Sequence, residues 1–97
     1  MIIYEITAKV RLDLCEKYET YMRETHIRDL LKTGAFSGAS FNRGEPGIYL
    51  IQYEAHSREE LDRYLRDHAA VMRMDVDKHF PDGVESSRAE WTIIEKW

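Results

Sequence analysis

At 97 residues the chain has the length of one small domain, residues 1–97, which buries roughly 60 to 65% of its unfolded surface and folds with little stability to spare. Its 18 acidic residues outweigh 14 basic ones for a net charge of −4, and the Lys and Arg are scattered singly, so no electrostatic footprint for nucleic acid is present. Cys15 is the one cysteine, which excludes an internal disulfide and fits a reducing compartment.

No apolar run approaches the ~20 residues needed to span a bilayer. The opening Met-Ile-Ile-Tyr-Glu-Ile reads as a strand and lacks the basic and continuous apolar regions of a signal peptide. A cytoplasmic protein with neither membrane nor nucleic-acid partner is therefore expected.

Residues 2 to 11 alternate, with Ile2, Tyr4, Ile6, Ala8 and Val10 on one side and Glu5, Thr7, Lys9 and Arg11 on the other, the period-two pattern of a half-buried strand. Asp13 and Glu16 resemble a capping box that opens a helix of about 20 residues, running to Thr33 before Gly34. Ala35 to Arg43 and Ile48 to Ala55 read as strands joined through Gly44-Glu45-Pro46-Gly47. Ser57-Arg58-Glu59-Glu60 caps a second helix that extends toward Lys78 and is broken by Phe80-Pro81-Asp82-Gly83. Val84 to Trp97 reads as the closing strand, with Trp91 and Trp97 on one face.

This βαββαβ order predicts an α+β, ferredoxin-like fold: a four-stranded antiparallel sheet with two helices on one face. Tyr49, Ile51 and Tyr53 alternate with Ile48 and Leu50, so both faces of the third strand carry apolar side chains. One helical layer cannot cover both faces. A second copy stacked on the open sheet face can, and a homodimer is expected, making a dimeric α/β barrel.

Projected at about 100° per residue, Cys15, Tyr18, Met22, His26 and Leu30 fall within an arc of about 120° on the first helix. Leu61, Tyr64, Leu65, His68, Met72 and Val76 form the comparable face of the second. Two histidines on buried helix faces point to a polar pocket between helices and sheet, lined by Tyr4, Tyr18, Met22 and Tyr64. An imidazole titrating near pH 6.5 suits acid or base work there, and His26 and His68 are the candidate catalytic residues. Structural pairing of each imidazole with a tyrosine hydroxyl or a carbonyl is the alternative.

His26, His68 and Asp29 or Asp75 form no short metal-ligand motif, so no metal is assigned. The scattered glycines match neither a dinucleotide fingerprint nor a P-loop, no nucleophile elbow is present, and no cofactor is expected. Glu19 with Arg23 and Glu24 with Arg28 stand four apart, as on a solvent-facing helix surface. Arg28, Arg43 and Arg88 suit an anionic ligand in residue type but are read as solvated or ion-paired.

Tyr-Met-Arg-Glu-Thr-His-Ile at 21–27, Leu-Leu-Lys-Thr-Gly-Ala-Phe at 30–36, Ile-Gln-Tyr-Glu-Ala at 51–55 and Ser-Arg-Glu-Glu-Leu at 57–61 together resemble a bacterial family described as a domain of unknown function. The Met-Arg-Glu-Thr-His-Ile run is the most specific part. The resemblance implies the dimeric α/β-barrel superfamily, which also holds cofactor-independent monooxygenases, muconolactone isomerase-like enzymes and haem-degrading enzymes. His26 followed by Gly34 is similar to the ethyl tert-butyl ether degradation-type members. The haem-degrading pattern has an asparagine on the first strand where this chain offers Glu5 and Thr7. The functional expectation is a protein that binds a small, partly apolar molecule near His26. A cofactor-independent oxygenase or isomerase using His26, and a non-catalytic structural dimer, are the alternatives.

Overall fold

The computed structural model describes residues 1–97. Strand β1 spans Ile2–Val10. A helical stretch follows as a 3-10 turn at Leu12–Leu14, helix α1 at Cys15–Tyr21, a π turn at Met22–His26 and helix α2 at Ile27–Lys32. Strands β2 (Phe36–Arg43) and β3 (Ile48–Ala55) form a hairpin, then come helices α3 (Arg58–Asp67) and α4 (Ala69–His79) and strand β4 (Val84–Thr92). The strands make one antiparallel sheet in the order β2-β3-β1-β4, the ferredoxin-like arrangement that the element order predicts.

Register decides which side chains meet. Tyr4 lies opposite Tyr53 on β3 and Glu90 on β4, and Ile6 lies opposite Ile51 and Arg88. Partners across a ladder share a face, so Arg88 stands on the helix-covered side with Ile6 and Ile51. On that side Tyr4, Ala8, Tyr49, Ile51 and Tyr53 are buried against Tyr18, Met22, Leu30, Leu61 and Tyr64 of the helices. On the other side Ile3, Ile48 and Leu50 are half-buried, and Glu5 accepts hydrogen bonds from Gln52 Nε2 and Trp91 Nε1, each at 3.1 Å.

Both long helices depart from expectation. The first is not a continuous α-helix: at its centre the Ile27 N–H bonds the Met22 carbonyl, five residues back, which admits one extra residue to the turn. That widening rotates the surface positions out of four-residue register. Glu19 pairs instead with Arg43 at 2.6 Å, and Arg28 Nε donates to the Arg23 carbonyl at 3.1 Å. Asp13 does not cap the helix, because its carboxylate is drawn to Arg11 at 2.7 Å. Ser57 does cap α3, its Oγ accepting from the Glu60 N–H at 3.1 Å. The second helix is then interrupted at His68, whose φ of −127° lies outside the helical range, giving two helices where one was expected.

Strand β4 ends at Thr92, short of the expected Trp97. Thr92 pairs with Ile2, the first residue of β1, so the chain beyond has no neighbouring strand to bond. Ile94 and Trp97 are exposed, and Trp97 does not share a packed face with Trp91. No helix is long and apolar enough to cross a membrane.

Two left-handed glycines give a paired test. Gly34 has φ +83° and nothing within 4 Å of an added Cβ, whereas at Gly47, φ +85°, a Cβ would sit 2.7 Å from the Val10 carbonyl oxygen. Gly34→Ala is expected to cost about 1 kcal/mol, the left-handed backbone penalty alone. Gly47→Ala adds the clash and is expected to cost about 3 kcal/mol or more. Denaturant midpoints of the two variants against wild type check this difference.

Candidate functional site

Between the helices and the sheet lies a cavity of about 40 Å³. It takes a few atoms, far less than the several hundred Å³ of a typical ligand pocket, so a larger ligand must reach out through its mouth. Tyr4, Tyr18, Met22, His26 and Tyr64 all line it, joined by Tyr53 of β3 and Met72 and Val76 of α4. Ser86, Arg88 and Arg73 also line it, the first two from the edge strand β4 and the last from α4. His68 does not. It sits half-buried at the break between α3 and α4, its ring stacked 6.1 Å from that of Tyr64. His56 is exposed in the turn before α3.

His26 owes its surroundings to the π turn. In an α-helix residues five apart point about 140° away from each other, but one widened turn brings them onto the same side. Tyr21 thereby stacks on His26, ring centroids 5.7 Å apart, with its hydroxyl 3.4 Å from His26 Nδ1. The same hydroxyl lies 2.5 Å from Asp75 Oδ2 on α4. Asp75 is followed one turn later by His79, whose Nδ1 is 2.9 Å from the Asp75 carbonyl oxygen.

Counting donors fixes the proton on the ring. Tyr21 has one O–H, which goes to the Asp75 carboxylate, leaving only lone pairs toward His26. The contact at Nδ1 is a hydrogen bond when Nδ1 carries the proton and donates, which leaves Nε2 with its lone pair. Nε2 has no protein partner, yet no buried side-chain polar atom is left unsatisfied, so Nε2 opens on the cavity that His26 lines. Burial pushes the His26 pKa down to about 4, a shift that Asp75 and Asp29 oppose and Arg88 reinforces. The imidazole is accordingly neutral at pH 7. Tyr21 is pushed up, first by burial and then by its hydrogen bond to Asp75, and keeps its proton.

Four further phenols complete the lining. Tyr4, Tyr18, Tyr53 and Tyr64 are each no more than 3% exposed. None of their hydroxyls bonds another protein group, and by the same accounting each opens on the cavity. Burial raises Tyr18 to about 12 and drives Tyr53 and Tyr64 upward as well, so these groups stay O–H donors. Buried hydroxyls normally find partners, and these four stand around one small space without a protein one. No three His, Cys, Asp or Glu side chains converge to hold a metal ion.

The sequence reading finds His26 and four of its neighbours but not Tyr21, Tyr53 or Arg73, and it considers Asp75 only as a metal ligand. One signal for the π turn was present. Tyr18, Met22, His26 and Leu30 recur every fourth residue, a spacing that drifts about 40° per step on a regular α-helix and stays in line only where the helix widens.

Solved structures with this fold include a SnoaB variant, a cofactor-independent oxygenase from Streptomyces nogalater, at 10% identity and TM-score 0.75 over 98% of this chain and 94% of that one. An ethyl tert-butyl ether degradation family protein from Bacillus halodurans matches at 15% identity and TM-score 0.69, over 95% of this chain and 100% of its own. A Nitrosomonas europaea protein named for antibiotic biosynthesis monooxygenases matches at 10% and 0.69, over 98% and 100%. At such identities the likeness is one of fold alone. No curated protein sequence matches the chain. A family model described as a domain of unknown function, DUF4286, matches residues 1–94, and the chain belongs to that family.

Proposed function

We propose that this protein binds a small carbon acid in the cavity and that His26 Nε2 removes a proton from it. The C–H electron pair passes into the adjoining carbonyl, and the resulting enolate oxygen is stabilised by the ring of phenol hydroxyls. Tyr21 and Asp75 act through His26: they hold its ring orientation and tautomer and offset the charge of the imidazolium that forms. The observation that carries this reading is a neutral histidine whose free nitrogen opens on a space ringed by four partnerless phenols. An enolate so formed is reprotonated at another carbon by an isomerase or attacked by dioxygen in an oxygenase. The SnoaB neighbour, alike in fold, is a cofactor-independent oxygenase.

The same reading includes a homodimer. Half-buried Ile3, Ile48 and Leu50 and exposed Trp91 lie on the sheet face that no helix covers, and a second copy stacked there would remove them from water. Cys15 is a free thiol, which accords with the reducing cytoplasm.

Three measurements test these statements. Wild type is expected to accelerate deuterium exchange at the activated carbon of small enolisable ketones. The rate should rise with pH through about 4, as His26 sheds its proton, and be flat above. His26→Gln is expected to lower it on the order of 10² to 10⁴-fold and Tyr21→Phe by less, whereas an unchanged rate in His26→Gln rejects the base.

The second measurement is stability against pH. Because the folded-state pKa of His26 lies near 4, below the 6.5 of a free imidazole, the unfolded chain binds the extra proton first on acidification. The contribution is whole above about pH 6.5 and shrinks as pH falls to about 4, by about 3 kcal/mol in all. Denaturant titrations should show His26→Gln losing less stability than wild type across that window.

Third, Leu50→Lys, on the open sheet face, is expected to turn a wild-type dimer into a monomer in sedimentation equilibrium; a wild type that sediments as a monomer contradicts the assembly.

A further inference from the structure

Arg11, Arg43, Arg58, Arg63 and Arg66 are each held by a carboxylate. Arg73 and Arg88 are not, although both line the cavity. Arg88 reaches it because its register partner is Ile6, on the helix-covered face of an edge strand. Glu90, the next residue on that face, does not neutralise Arg88, since it is taken by Arg58 at 2.6 Å. Asp75 on α4 is likewise engaged, by the Tyr21 hydroxyl. The Arg88 charge acts on Tyr18, His26 and Tyr64, and the Arg73 charge on Tyr64, opposing the burial that raises the two phenols. Both guanidiniums therefore stand within electrostatic reach of the cavity hydroxyls.

The lining is unbalanced in its hydrogen-bonding character. The two guanidiniums can only donate, the four phenols and the Ser86 hydroxyl each carry a proton to donate as well as lone pairs, and His26 Nε2 is the one side-chain nitrogen or oxygen on the lining that can only accept. Two donor-only cations on the lining favour a ligand that presents acceptors to them.

Resting on the carbon-acid reading above, we infer that the ligand is a small carboxylate. Its charged group is held at the mouth by Arg73 and Arg88, and its short, enolisable body points inward to the phenols and His26. This arrangement also answers the cavity's size: about 40 Å³ admits the reacting end, and the carboxylate remains outside among exposed arginines.

The test compares acetoacetate with its neutral isostere acetoacetamide by titration calorimetry at low ionic strength. Wild type is expected to bind the anion about tenfold more tightly or better. Arg73→Gln and Arg88→Gln should each reduce that preference and the double variant should erase it, while Arg88→Lys, which keeps the charge, retains part. His26→Gln should keep the preference intact, so loss of proton abstraction and loss of carboxylate recognition are read separately. Acetoacetate binding no better than acetoacetamide to wild type, including binding of neither, overturns the inference. So does a preference that survives in the double variant, and so does inorganic phosphate displacing acetoacetate at equal concentration, which would make a phosphate the recognised group.

Discussion

The widened turn at Met22–His26 is the constraint on which the candidate site depends. Without the extra residue Tyr21 would face away from His26, and the imidazole would be a buried polar group with nothing at Nδ1. With it, an aromatic hydroxyl on the same helical stretch links the histidine to Asp75 on the opposite helix. The break at His68 matters for a related reason. By ending α3 and starting α4 anew, it lets Met72, Asp75 and Val76 approach the first helical stretch, closing the cavity on one side and supplying the carboxylate on the other.

The electrostatics of the cavity follow from the order of these layers. Burial keeps His26 uncharged and Tyr18, Tyr53 and Tyr64 protonated. The charged groups nearby are Asp75, held by the Tyr21 hydroxyl, and Arg73 and Arg88 on the lining. A reaction that creates an oxyanion inside and an imidazolium beside Tyr21 then places each new charge against a group already oriented to meet it. The uncovered face of the sheet is separate from this arrangement. Glu5, with Gln52 and Trp91 bonded to it, belongs to the uncovered side and has no access to the cavity.

Much of the fold was legible in the sequence because strands announce themselves by alternation. Ile2 to Val10 and Ile48 to Ala55 fall within a residue of their expected limits, and Ser57 caps its helix. The break at His68 was not legible, and the π turn showed only in the every-fourth-residue spacing of Tyr18, Met22, His26 and Leu30. Neither Gly nor Pro marks His68 or the π turn, and a wheel drawn at one fixed angle per residue hides any residue brought round by a change of pitch, as Tyr21 is. Arg88 shows a different limit. In sequence it is indistinguishable from Arg28 and Arg43; only the pairing with Ile6 separates it from Arg43, which meets Glu19, and Arg28, which meets a backbone carbonyl. The closing strand was overextended because alternation in residues 91–97 says nothing about whether a neighbouring strand is there to pair with.

The central claim is that His26 is a neutral base with its proton on Nδ1 and its lone pair turned to the cavity. Nitrogen-15 NMR of the imidazole ring tests it most directly, since protonated and bare ring nitrogens resonate far apart and long-range couplings assign them. The account predicts a protonated Nδ1 and a bare Nε2 at pH 7, with Tyr21→Phe disturbing that tautomer. A ring protonated on Nε2 alone, or on both nitrogens at pH 7, would contradict it.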